Sequence, residues 1–213
     1  AKQMVSRYGV AIDMPAGPSE VAIMADDTAE PAFVAADLLS QAEHGADSQV
    51  ILVTNNEPLA NHVIREIDRQ VSLLPRGQYA MKALKNSRII LLKEVADMIR
   101  LIHAYAPEHL IISLRDAELV GESIVNAGSV FLGNYTPESA GDYASGTNHT
   151  LPTSGYARSY SGVNMDTFMK KITFQKISPE GLRQLGPVIM TMAEAEALTA
   201  HKNAVLVRLQ GKE

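Results

Sequence analysis

The sequence predicts an α/β fold: a Rossmann-like, incomplete layer of parallel strands with helices on both faces, followed by a small C-terminal helical or extended element. Three observations predict it. Short apolar runs alternate with helical patterns of about 10 to 15 residues along the first part of the chain. The runs are continuously apolar, as strands are when helices cover both faces of a sheet. The periodicity then stops over residues 134–164 and returns for one last stretch, so two portions are expected, residues 1–165 and 166–213.

The first strand is Glu20 to Ala25 (EVAIMA). Pro31 opens PAFVAADLLSQAEHG, with Pro in a first helical turn and Gly45 at a C-cap position. SQVILVT is the next buried strand, and Pro58 to about Leu74 a helix, interrupted by Pro75 and Gly77. Ser87 to Leu92 is a strand, Val95 to Tyr105 a helix, His109 to Leu114 a strand, Ala117 to Asn126 a helix and Ser129 to Leu132 a strand. The segment from Asn134 to Asn164 is rich in Gly, Ser, Thr, Asn and Tyr. Loops beyond about 12 to 15 residues are uncommon in compact domains unless functional or disordered, and the tyrosines here argue for an ordered, functional one. KKITFQKI then reads as a strand, Pro179 to about Ala200 as a helix, and AVLVRLQ as a final strand or extended tail. No GxGxxG follows any strand, so no dinucleotide fingerprint is present.

Composition excludes several classes. The chain has 213 residues with 46% hydrophobic and 20% charged side chains, which suits a folded globular protein. Lysine and arginine number 19 against 24 acids, a net charge of -5, which argues against a nucleic-acid partner. There is no cysteine, so a disulfide scaffold, a thiolate metal site and a cysteine nucleophile are excluded. No apolar run approaches the roughly 20 residues needed to span a bilayer, so no membrane partner is expected and the expected compartment is the cytoplasm. The chain opens on Ala1 and begins as if in mid-element, as expected of a fragment or a processed product.

The histidines give the chemical candidates. His62 and His103 lie in helical patterns without polar company and read as helix-flank residues. Gln41 and His44 are three apart at a helix end and can project from one face toward a shared ligand. Spacing alone also describes a solvated C-terminus with a histidine favouring the dipole, and prefers that reading. Glu108 and His109 follow a helix-ending proline and precede a strand. They are either an acid/base pair with separated pKa values or two exposed polar residues. Glu138, Asp142, Asn148 and His149 occupy the long loop. Asp142, between Gly and Tyr, is a candidate hard-metal or substrate ligand or plain turn chemistry. Glu196 and His201 are five apart, which is no same-face spacing, so the helix must end between them for both to serve one site. Ser19, after Gly17 and Pro18, is a turn residue on its own terms.

Together these segments resemble the histidinol dehydrogenase family. The resemblance is carried by DMPAGPSEV (Asp13 to Val21), FVAADLLSQAEHGADSQVILVT (Phe33 to Thr54), YAPEHLII (Tyr105 to Ile112), AGSVFLGNYTPESAGDYASGTNHTLPT (Ala127 to Thr153) and LTAHKNAV (Leu198 to Val205). It implies a zinc-dependent homodimer that oxidises L-histidinol to L-histidine through L-histidinaldehyde with two NAD⁺. By resemblance, Gln41, His44, Asp142 and His201 are the zinc ligands, and Glu108 and His109 the catalytic acid/base pair. Ser19, Gln41, His44, His109, Asp142, Glu196 and His201 contact substrate. Glu196 and His201 act in trans, on the partner's site. Family members are about twice this length, with NAD contacts mainly in the half preceding these segments. The chain therefore resembles a C-terminal half, without cofactor-binding residues of its own and inactive in isolation. Two other classes fit the bare residues: a metal-dependent hydrolase with Glu108 activating water, and a non-catalytic module binding metal and imidazole.

Overall fold

The computed structural model describes residues 2–210. Contacts divide them into two compact units, one ending at Phe168 and one beginning at Met169.

The first unit holds five parallel strands, β1 (Glu20–Ala25), β2 (Gln49–Thr54), β3 (Arg88–Leu91), β4 (His109–Ser113) and β5 (Ser129–Leu132), in the order β3-β2-β1-β4-β5. Its helices are α1 (Lys2–Val5), α2 (Pro31–Ala42), α3 (Glu57–Val71), α4 (Gly77–Leu84), α5 (Val95–Tyr105), α6 (Ala117–Gly121) and α7 (Glu138–Tyr143). The strand order reverses between β1 and β4, which pair in register with Val21 opposite His109. The α/β expectation therefore holds, with helices on both faces.

Period-two alternation assigns those faces. Val21, Ile23, Val50, Leu52 and Ile111 pack with Val34, Leu38, Leu59, Val63 and Ala80, from α2, α3 and α4. Ala22, Met24, Ile51, Val53, Leu110 and Ile112 pack with Met98 and Ile102 of α5 and Ala117 of α6. By the same alternation His109 belongs to the α2 face, and its ring lies 6.0 Å from that of Phe131 in the same core.

Several boundaries differ from the sequence expectation. The helix expected from Pro58 is α3, capped by the Asn56 side chain accepting from Leu59 N–H, and the PRGQYAMKAL stretch after it forms a separate helix, α4. The helix expected to reach Asn126 ends at Gly121. The long loop is not wholly irregular: Pro137 and Glu138 open α7, a single short helix. Helix α2 stops at Ala42 with Glu43 as its cap, before the expected Gly45, so His44 lies just beyond the helix that carries Gln41.

The second unit is helical, with α8 (Pro179–Ala195) and α9 (Thr199–Gln210). KKITFQKI is not a strand: among the described residues it pairs with no edge, and Phe174 is 91% exposed. An alternating apolar pattern makes a strand only where a ladder partner satisfies its backbone. AVLVRLQ is also not a strand but the body of α9, because Val205 and Leu209 pack on α8. A Cβ built on Gly186 would meet Leu209 Cδ1 at 2.8 Å and Val205 Cγ1 at 3.1 Å, so Gly186 permits the close approach. The single helix expected to Ala200 breaks after Ala195, where Ala197 turns left-handed at φ 58°.

Candidate active site at the amino ends of β1 and β4

The sequence delivers Glu108 and His109 to the sheet through a strained turn. Helix α5 ends on Ala106 in the left-handed conformation, φ 54°, and its N–H returns to the Ile102 carbonyl. A non-glycine residue held there costs roughly 1 to 2 kcal/mol. Pro107 cannot continue the helix, and the chain enters β4 with Glu108 and His109 buried at its amino end. Gly128 lies against this turn. A Cβ there would stand 2.5 Å from the Glu108 carbonyl oxygen, so only glycine lets β5 approach.

Glu108 Oε2 accepts the backbone N–H of Glu20 at 2.9 Å. His109 Nδ1 lies 3.0 Å from Gln41 Nε2, 3.1 Å from the Glu20 carbonyl oxygen and 3.6 Å from Glu108 Oε2. Its Nε2 lies 3.8 Å from Asp142 Oδ1 and 4.0 Å from Glu138 Oε1. A proton on either ring nitrogen thus has an acceptor or a negative charge beside it. Burial alone would lower the imidazole, but the Glu108 carboxylate and the charge of Glu138 outweigh it and hold His109 above the ordinary histidine value. Burial pushes Glu138 up to about 7, opposed by His109 and reinforced by Asp142. Glu20 is also raised, by burial first and then by the charge of Glu108, against the Ser154 N–H that its carboxylate accepts.

A cavity of roughly 310 Å³ opens here, lined by Ser19, Gln41, His44, Glu108, His109, Asp142, Tyr143 and His149. Six residues expected to act together therefore meet on its wall. Ser19 Oγ and His44 Nδ1 stand 3.5 Å apart across its rim. Glu196 and His201 lie in the second unit, where they share a separate hollow with Ile189, Met192, Ala193 and Leu198. The break between α8 and α9 brings them onto one hollow, as their spacing of five required.

A larger hollow, about 680 Å³, lies at the other end of the sheet, beside Thr28, Arg115 and Asn134. Ligands of open α/β sheets usually bind at that carboxyl end. The expected site residues here gather at the amino end. Among the described residues, the buried side-chain atoms without a hydrogen-bond partner are Glu20 Oε2, Gln41 Oε1, Glu138 Oε1 and Thr153 Oγ1. Two of them, on Gln41 and Glu138, sit beside His109.

The donor set suits a cation such as zinc. Gln41 Oε1 is buried and uncommitted, and His44 and Asp142 supply a nitrogen and carboxylate oxygens on the same wall. His109, Glu138 and Asp142 also bring ligand atoms within 4.8 Å of one another. Sequence reasoning placed Glu138 in the loop without a role and missed Glu20 and Ser40. A usable signal was the spacing of four between Glu138 and Asp142, which puts both on one face once that segment is helical. Another was an acidic residue opening an otherwise apolar buried strand.

The histidinol dehydrogenase family model matches residues 1–209. The chain is 60% identical over 209 residues to the histidinol dehydrogenase of Bacteroides thetaiotaomicron, covering 98% of this chain and 49% of that protein. It is 56% identical to a protein of Arabidopsis thaliana named "Histidinol dehydrogenase, chloroplastic", over 96% of this chain and 44% of that one. The crystal structure of histidinol dehydrogenase from Elizabethkingia anophelis superposes with a TM-score of 0.94 at 58% identity, over 98% of this chain and 48% of that chain. The chain spans about half the length of the curated relatives it matches. With the buried Glu108–His109 pair set beside Gln41, His44 and Asp142 on one wall, the match runs through every segment that builds the site, and the chain belongs to the histidinol dehydrogenase family.

Proposed function

We propose that this chain is part of a histidinol dehydrogenase that oxidises L-histidinol to L-histidine through L-histidinaldehyde, reducing two NAD⁺. The observation that carries the reading is the buried Glu108–His109 pair facing a cavity walled by Gln41, His44 and Asp142, in a chain of this family.

In the first oxidation His109 Nε2, the ring atom nearest Asp142, takes the hydroxyl proton while the carbinol carbon loses hydride. NAD⁺, when bound, would supply the acceptor for this hydride and for the one lost in the second oxidation. In the second, Glu108 takes a proton from water as the water oxygen bonds to the aldehyde carbon, and His109 returns its proton to the carbonyl oxygen. The resulting diol loses one hydroxyl proton to His109 and a second hydride, giving the acid. Positioned acid/base groups of this kind contribute about 10² to 10⁴ in rate.

Gln41, His44 and Asp142 of one chain, with His201 of the partner, would hold zinc. When bound it would supply orientation of the substrate imidazole and amine. Ser19, Gln41, His44, His109, Asp142 and the partner's Glu196 and His201 contact substrate in this reading. The exposure of Glu196 and His201 supports their service to a second copy in a homodimer. NAD⁺ contacts are assigned outside these residues. The loops leaving β1, β2, β3 and β4 carry no glycine that would let backbone close on a pyrophosphate. We assign a cytoplasmic compartment; no helix of the described residues is long and apolar enough to cross a membrane.

The test is an assay of the full-length protein with L-histidinol and NAD⁺. Two NADH and one histidine per histidinol are expected. No NADH on adding histidinol to the folded full-length protein would contradict the dehydrogenase reading and leave the hydrolase and the binding module.

A further inference from the structure

Two residues beside the cavity have no part in the chemistry above, Ser40 of α2 and Glu138 of α7. Glu138 is 1% exposed. Its Oε2 accepts from Ser40 Oγ at 2.9 Å, and Ser40 shares that hydroxyl proton with the Asp37 carbonyl at 2.8 Å. Its Oε1 is buried without a partner. Packing alone would be served better by an apolar side chain, because burying a carboxylate is costly even with Ser40 on one oxygen and His109 Nε2 4.0 Å from the other. Position gives it a use. Ser40 immediately precedes Gln41, and Glu138 stands one turn before Asp142. The Ser40–Glu138 bond is the one side-chain hydrogen bond joining α2 to α7 among the described residues.

We propose that Glu138 is a positioning residue which, braced on Ser40, holds the short helix of Asp142 against the helix end of Gln41 and His44 and so sets the spacing of the cation ligands. The proposal rests on the reading of those three residues as ligands. Helix α7 has only six residues, too few to be held by its own hydrogen bonds, so its placement must come from tertiary contacts. Glu138 reaches both Ser40 and the Nε2 edge of His109, and ties α7 to the helix and the strand that face it.

The test uses the full-length protein and two readouts: Zn²⁺ affinity by competition with a chelator, and the visible absorption of the Co²⁺-loaded protein, which reports ligand geometry. Ser40→Ala and Glu138→Ala should each lower Zn²⁺ affinity by about 10- to 100-fold, the range typical of groups that orient metal ligands, and alter the Co²⁺ spectrum. Ser40→Thr, which restores the hydroxyl, should recover both. Glu138→Gln still accepts from Ser40 and should stay within about threefold of the parent. A merely structural residue would lower the melting temperature and leave the spectrum of the folded protein unchanged. Should Glu138→Ala fail to fold, the Ser40→Ala and Ser40→Thr pair decides. Parental affinity and spectrum in Ser40→Ala overturn the proposal. So does a loss in Glu138→Gln as deep as in Glu138→Ala, which would make Glu138 a ligand itself. Gln41→Ala serves as the control: if it keeps parental affinity, it is the ligand reading that fails.

Discussion

The backbone N–H of Glu20 donates to Oε2 of Glu108 at 2.9 Å, joining the first residue of β1 to the residue that leads into β4. The bond lies at the point where the strand order reverses, between neighbours 88 positions apart in the chain. Glu20 also offers its carbonyl to His109 Nδ1 and its carboxylate to Ser154 N–H. One residue thus fixes Glu108, His109 and the backbone of Ser154 in the long loop. Its backbone is fixed in turn by pairing β1 to β2 and β4.

Gly128→Ala should damage the site from behind. Its methyl would stand 2.5 Å from the Glu108 carbonyl oxygen and 3.2 Å from Leu151 Cβ. Overpacking of this kind costs about 1 to 3 kcal/mol. Urea unfolding should show that loss, and kcat in the full-length enzyme should fall with it. Gly9→Ala, at a left-handed position (φ 79°) with nothing within 4 Å, should cost about 1 kcal/mol of backbone strain but leave kcat unchanged.

Asp37 gives a pH dependence of stability. Burial pushes it up to about 7 from an ordinary value of 3.8. Its folded value is raised, so its contribution is fully present below the unfolded value and is lost as pH rises through the folded one. The full shift corresponds to about 4 kcal/mol at 1.36 kcal/mol per unit. The side chain is half-buried and keeps some hydration, so we expect roughly 2 kcal/mol. Asp37→Asn should be more stable than the parent by that amount near pH 8, and equal to it near pH 4, by urea unfolding at both values. A difference independent of pH would show that folding does not raise the Asp37 carboxyl.

The sheet was legible because each strand is a short apolar run with a helix after it, and parallel sheets bury both faces. The helices α2 and α5 were legible from their prolines and apolar spacing. What was not legible depends on partners distant in sequence. KKITFQKI and AVLVRLQ both carry strand-forming residues, yet one finds no edge and the other packs as a helix on Gly186. Within the site, Glu108 and His109 are adjacent and invite a pairing, whereas Glu138 acquires meaning only beside Ser40, 98 residues away. Spacing alone favoured a solvated helix end for Gln41 and His44. Gln41 is instead buried, because β4 brings His109 beneath it.

The partner assignment of Glu196 and His201 predicts complementation. Full-length chains carrying His109→Ala or His201→Ala should each be nearly inactive. Heterodimers formed by subunit exchange contain one intact site, since the other is doubly mutated, and should recover up to about half of parental activity. Verified heterodimers as inactive as both parents would mean that His201 serves its own chain.

The division of labour between Glu108 and His109 tests the account most directly. In the full-length enzyme, alcohol-to-aldehyde and aldehyde-to-acid oxidation are measured separately, starting from L-histidinol and from L-histidinaldehyde. Glu108→Gln should slow the aldehyde step by about 10² to 10⁴ and leave the alcohol step close to the parent, because only the aldehyde step needs an activated water. His109→Asn should slow both. Equal losses of the two steps in Glu108→Gln, or an unimpaired alcohol step in His109→Asn, would contradict it.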